Sequence, residues 1–152
     1  IAVVLHEWEK SIAFRDAVLL SEKEKLFDNA DSSGVSIQIK GEEPTGSAAE
    51  LMYMAMQVCL NNAIQYAKAT ELTVCIRKNG NKYSVVIRNN GKPPEKVITE
   101  GGGLTNLRRR IEKSGGIMTV HSLPEFSLVM DLPNTDNAEK GGEDSSEKNI
   151  NC

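Results

Sequence analysis

Leu51-Met52-Tyr53-Met54-Ala55-Met56-Gln57-Val58-Cys59-Leu60-Asn61-Asn62-Ala63-Ile64-Gln65-Tyr66-Ala67-Lys68 carries apolar residues on nearly every side of a helix. A helix apolar all round belongs in the middle of its domain. Just ahead of it, Ser47-Ala48-Ala49-Glu50 has capping-box spacing, with Ser at the cap and Glu three residues on. Asn61, Asn62 and Gln65 interrupt the apolar surface. Leu51, Ala55, Val58, Asn62 and Tyr66 share one stripe at offsets of three and four. One carboxamide on such a stripe is ordinarily a satisfied core group. It becomes informative only with what lies downstream.

Downstream, residues 72–77 and 82–88 are rich in strand-forming residues, and Asn79-Gly80 between them is a two-residue hairpin signal. Asn89-Asn90-Gly91-Lys92-Pro93-Pro94 must be loop. Gly101-Gly102-Gly103 then opens a helix over 104–114, which Gly115-Gly116 stops. Residues 117–122 and 126–132 read as a second hairpin around Leu123-Pro124-Glu125, and Pro133 closes the domain. Upstream, residues 35–40 alternate strictly and read as a half-buried strand. Residues 1–30 alternate apolar and charged residues at helical spacing, as one or two helices ending before Asp31-Ser32-Ser33-Gly34. Antiparallel strands with helices on one face make a two-layer α/β sandwich with a mixed sheet.

The chain has 152 residues, enough for one domain that needs no disulfides to hold a core. No run approaches the roughly 18–20 apolar residues of a membrane span, and there is no secretory signal. The chain begins at Ile1, which reads as a piece of a longer protein. Cys59, Cys75 and Cys152 are odd in number and far apart, a pattern of reduced thiols and not of a zinc site or a disulfide framework. The formal charge is −3, from 18 basic and 21 acidic residues. Five of the acids and two of the lysines lie in 134–152, so the rest of the chain holds sixteen of each. That tail has almost no apolar content and reads as a disordered acidic appendage. The net charge thus marks a domain boundary and says nothing about the ligand of the neutral part. Nothing points to nucleic acid, whose footprint is a basic excess. Arg108-Arg109-Arg110 cannot form one patch, because consecutive helical residues point about 100° apart.

Two further features bear on chemistry. A glycine run directly before a helix leaves backbone N–H groups at a positive dipole end, which suits phosphate; alone it would be a flexible loop. Asn62 could offer a carboxamide oxygen to magnesium, which takes oxygen ligands and shares its shell with phosphates.

Together these features resemble, in order and spacing, the nucleotide-binding boxes of the GHKL superfamily, with its Bergerat fold. The match is nearest the catalytic (ATP-binding) domain of bacterial sensor histidine kinases. Residues 59–69 resemble the N box, Asn89-Asn90-Gly91 the first glycine box, and Gly101-Gly102-Gly103-Leu104 with its helix the second. The resemblance covers about 35–133. It implies ATP and Mg2+ as ligands. Asn62 would be the metal ligand, Gly101, Gly102 and Gly103 would wrap the phosphates, and Asn89 would read the base. Tyr66, Lys68, Gly91 and Leu104 complete the implied nucleotide-binding set. The lid, 92–100, is nine residues, similar to the short-lid branch.

Three positions depart from the family. The N-box Glu, four residues before Asn62, is Val58 here, and a valine cannot polarise a nucleophile. No catalytic residue is therefore assigned. The adenine-reading Asp is Asn89, which can accept or donate a hydrogen bond depending on its flip. Pro93 stands where the first box has its second glycine. His6-Glu7 mimics a phosphoacceptor pair, but 1–33 is too short for two hairpin helices and reads as the second helix or the linker after it.

The division expected is 1–33 helical, 34–133 ATP-binding and 134–152 tail. The function implied is a cytoplasmic ATP-binding domain, of a full-length protein either soluble or membrane-anchored, presenting Mg-ATP to a histidine on a dimerisation hairpin encoded upstream. A homodimer and a response regulator would be its protein partners. The alternative is a degenerate kinase-derived module acting through protein contacts. An independent ATPase is the third reading, disfavoured by Val58.

Overall fold

A computed structural model of the chain describes residues 2–96 and 101–134. The elements run α1 (Ala2–Ser32), β1 (Ser36–Lys40), α2 (Gly46–Asn62), a π-helical turn (Ala63–Ala67), β2 (Glu71–Asn79), β3 (Lys82–Asn89), α3 (Gly103–Lys113), β4 (Ile117–His121) and β5 (Ser127–Pro133). The acidic tail beyond residue 134, and residues 97–100 of the lid, lie outside the described residues.

Five strands form one sheet in the order β1-β2-β3-β5-β4. β1 and β2 are parallel, joined through α2, and every other pair is antiparallel. The mixed sheet and its helical layer are the two-layer α/β fold expected from the sequence. Alternation explains the one-sided packing. In β5, Leu128, Met130 and Leu132 are buried while Ser127, Val129, Asp131 and Pro133 are only half-buried. α2 lies over that face. Met52, Met56, Cys59 and Leu60 are fully buried, and Leu107 and Ile111 of α3 join them. Each such side chain contributes roughly 1.5–3 kcal/mol by leaving water.

α1 is one continuous helix that packs on α2 and β1. Leu26 and Ala30 near its C-terminal end are buried, whereas Phe14, Val18 and Leu20 are exposed. A bridge of polar groups ties it down. Lys23 Nζ lies 3.0 Å from Glu43 Oε1, and Tyr53 Oη of α2 donates to the same oxygen at 3.0 Å.

Three local readings are corrected. The cap of α2 is Thr45, not Ser47, and it makes no side-chain cap bond. Glu50 turns instead to a full positive charge on the next helix, Arg110, at 3.1 Å. The β2–β3 turn is Gly80-Asn81, one position later than expected, because Asn79 pairs with Lys82 in the ladder. Gly80 takes φ +60 as first central residue, the place a type II′ turn reserves for glycine. Of the cysteines read as reduced thiols, Cys59 is free and buried, but Cys75 is disulfide-bonded.

Candidate functional site

The cleft begins where the apolar helix runs out. After Asn62 the helix widens to a π turn whose carbonyl at Ala63 accepts from both Lys68 N and Ala69 N. Such wide turns recur at functional sites. Lys68 closes the turn in the left-handed region, at φ +49. It is the one non-glycine residue with positive φ among the described residues. Holding a side chain there costs on the order of 1 kcal/mol.

The loop after β3 is fastened to this turn. Lys92 N donates to the Ala67 carbonyl at 2.8 Å. Gly91 presses on Ala67 so closely that a Cβ would collide with the Ala67 carbonyl oxygen and stand 2.7 Å from its Cβ. Asn90 is a complete latch. Its Oδ1 accepts from Thr70 N and Glu71 N, each at 2.9 Å, and its Nδ2 donates to Thr70 Oγ1 at 2.9 Å. The end of the helix and the end of β3 thus form one braced wall.

The opposite wall is the glycine run. Gly102 caps α3 at φ +54 and ψ −116, a conformation closed to other residues. Gly103 leads into α3, whose first N–H groups have no partner within the helix. Between the walls lies an open cleft of about 790 Å³. Asn62, Tyr66, Asn89, Gly101, Gly103 and Leu104 all line it. Lys68, Gly91 and Gly102 do not: the first two brace the wall and the third shapes the loop.

Asn62 is half-buried, and its carboxamide has no hydrogen-bond partner among the described residues. It is therefore not the satisfied core polar group that a lone carboxamide would be. Asn61 next to it accepts from Gln57 Nε2 at 3.0 Å. Asn89 is tied down on one side only, its Oδ1 accepting from Gly91 N at 2.9 Å. Tyr66 stands 77% exposed at the rim. No group of three or more His, Cys, Asp or Glu side chains that could hold a metal ion occurs among the described residues. Asn62 would offer a magnesium ion a neutral oxygen there. The remainder would come from phosphates and water, a set that suits this ion.

Sequence reasoning missed Phe126, a buried ring lining the cleft. What brings it there is the long-range pairing of β3 with β5, which ends at Arg88 and Ser127, one residue short of Asn89 and Phe126. Two of the three arginines of α3 are engaged within the protein. Arg108 Nη1 donates to the Met118 carbonyl at 2.7 Å, and Arg110 pairs with Glu50. Neither lines the cleft.

Among curated proteins, the chain is 27% identical over 113 residues to the sensor histidine kinase YxjM of Bacillus subtilis, covering 74% of this chain and 27% of that protein. It is 26% identical over 100 residues to the signal transduction histidine-protein kinase/phosphatase DegS of Brevibacillus brevis, covering 63% and 26%. The fold matches the Acinetobacter baumannii histidine kinase AdeS, with TM-score 0.60, 15% identity, and coverage of 78% of this chain and 64% of that one.

The chain is similar in sequence to sensor histidine kinases, and its fold is that of the histidine-kinase structures it matches.

The fold also matches the ATP binding domain of PrrB from Mycobacterium tuberculosis, with TM-score 0.52, 19% identity, and coverage of 72% and 91%. No family model matches it. It spans about a quarter of the length of the curated relatives it matches. No helix among the described residues is long and apolar enough to cross a membrane.

Proposed function

We propose that this domain binds a magnesium nucleoside triphosphate, ATP by the resemblance, and presents its γ-phosphate to a histidine on a dimerisation hairpin. The observation that carries the reading is the cleft itself. One wall offers an unpartnered carboxamide at Asn62, and the other a glycine run at a helix N-terminus. In this reading Asn62 holds magnesium, and the N–H groups of Gly101, Gly102 and Gly103 take the phosphates. Leu104, Tyr66 and Asn89 line the rest of the nucleotide, while Gly91 and Lys68 hold the wall that carries them. Magnesium would supply charge neutralisation, and the chain's part is positioning, the usual division in phosphoryl transfer.

The exposed Phe14, Val18 and Leu20 of α1 support a helical partner for residues 1–33, in keeping with a hairpin and a homodimer. Residues 34–133 would be the nucleotide-binding unit, 134–152 an acidic appendage, and a response regulator the phosphoryl acceptor downstream. The domain would work in the cytoplasm. A second reading is favoured by one observation. Val58 lines the cleft where the resemblance expects a carboxylate, so a module that keeps the fold and acts through protein contacts is the alternative.

The test is amide chemical-shift mapping with Mg-ATP. The proposal expects shifts clustered at residues 62, 66, 89 and 101–104. Unchanged spectra at millimolar nucleotide would favour the second reading.

A further inference from the structure

The flip of Asn89 is fixed by its surroundings. Its contact at 2.9 Å is the backbone N–H of Gly91, which can only donate. The oxygen of the carboxamide must therefore be the atom facing Gly91. Its other atom is then an NH2 group, and it has no hydrogen-bond partner among the described residues. Asn89 lines the cleft, and the polar group it leaves wholly free for a ligand is a donor. A carboxylate in the same rotamer would present a second oxygen, an acceptor. One atom has changed, and the sense of the recognition edge has inverted.

The position of this donor indicates what it meets. Asn89 is the last residue of β3, whose pairing with β5 ends at Arg88 and Ser127, and Phe126, just before Ser127, is a buried ring lining the same cleft. An aromatic ring beside a carboxamide suits a heterocyclic base, which stacks on one and hydrogen-bonds the other. The phosphate end is the glycine run across the cleft.

We infer that the cleft prefers a purine nucleotide with an oxo group at position 6 over ATP, because Asn89 donates to the base edge where an adenine amino group would face it donor to donor. The inference rests on the nucleotide-binding reading above and revises only its base. The ligand class is a 6-oxopurine nucleoside triphosphate, guanosine or inosine.

The test compares dissociation constants of ATP, GTP and inosine triphosphate with magnesium, for the wild type and Asn89→Asp. Inosine and adenosine nucleotides differ at the base only at position 6 and the adjoining N1. Burying a donor against a donor corresponds to about a tenfold change. The wild type is expected to bind inosine triphosphate and GTP about tenfold more tightly than ATP, and Asn89→Asp, which restores an acceptor, to reverse the order. ATP binding as tightly as inosine triphosphate in the wild type would overturn the inference and leave nucleotide binding standing. An oxopurine preference unchanged in Asn89→Asp would overturn the role of Asn89. Binding of none of the three would overturn both readings.

Discussion

Gly103 lies against Val58: a Cβ built on Gly103 would stand 3.3 Å from Val58 Cγ2 and 3.5 Å from Cγ1. The glycine loop and the long helix thus meet through an isopropyl group. The contact is tight enough that an added methyl must push its neighbour. Gly103→Ala is expected to cost about 1 kcal/mol, and removing the crowding with Val58→Ala to recover part of it, a coupling of about 0.5 kcal/mol or more. A double-mutant cycle by urea unfolding reads this. Strictly additive effects would contradict the packing.

The same contact sets the chemistry at this point of the cleft. A valine can neither accept a proton nor orient water. On the proposed function, the wild type hydrolyses bound nucleotide at the background rate, and Val58→Glu raises the rate by at least about tenfold, toward the ~10²–10⁴ that a positioned base contributes. Phosphate release under saturating nucleotide measures it. A wild type already as fast as Val58→Glu would mean that another group activates the nucleophile.

Gly91 is required by space and not by a positive φ. Its Cα faces the Ala67 carbonyl that accepts from Lys92 N, so a methyl there must part the loop from the π turn. Gly91→Ala is expected to destabilise the domain by about 2–3 kcal/mol, within the range of overpacking with loss of a hydrogen bond. Thermal or chemical denaturation tests it. A change below about 0.5 kcal/mol, the size of an ordinary surface substitution, would show that the two segments separate freely.

Much of this architecture is legible in the residues. The apolar sides of the 51–68 run require a buried central helix, and α2 with its π turn is that helix. The alternation of 126–132 requires a one-sided strand, and β5 is one. What local reading misplaces are choices settled by a partner far along the chain. Glu50 fits a capping box by spacing, yet Arg110 lies 60 residues away and offers a full charge. Asn79-Gly80 fits a turn by composition, but the ladder takes Asn79 and leaves Gly80-Asn81 to turn. The site divides in the same way. Asn62 and the glycine run stand out in the sequence, whereas Phe126 enters the cleft only through pairing of β3 with β5. The orientation of Asn89 depends on a backbone N–H two residues on, which spacing alone does not fix.

Two groups give the domain an alkaline limit. Tyr53 is held above its ordinary value of 10.0 by burial first, then by the charge of Glu43 and the hydrogen bond to it. Burial pushes the Cys59 thiol up to about 12 from 9.0. Both fold with the proton on. Their contribution is complete below the unfolded-state values and is lost as pH rises toward the folded ones. Stability should therefore be unaffected by these groups near neutrality and fall above about pH 9, the lower of the two unfolded-state values. Tyr53→Phe and Cys59→Ala should each make that decline shallower. Melting temperature against pH from 7 to 11 measures it, and variants with the wild-type slope would remove these groups as its cause.

On the proposed function, Asn62 faces a magnesium nucleotide in the cleft between the π turn and the glycine run. Isothermal titration of nucleoside triphosphate, with and without magnesium, into the wild type and Asn62→Ala addresses it directly. Saturable binding by the wild type is expected, with a loss of about tenfold or more in Asn62→Ala when magnesium is present, the scale of removing a polar partner from a charged group. Without magnesium the two proteins should bind alike. No heat from the wild type with any purine triphosphate, or equal affinities for the two proteins with magnesium, would contradict it.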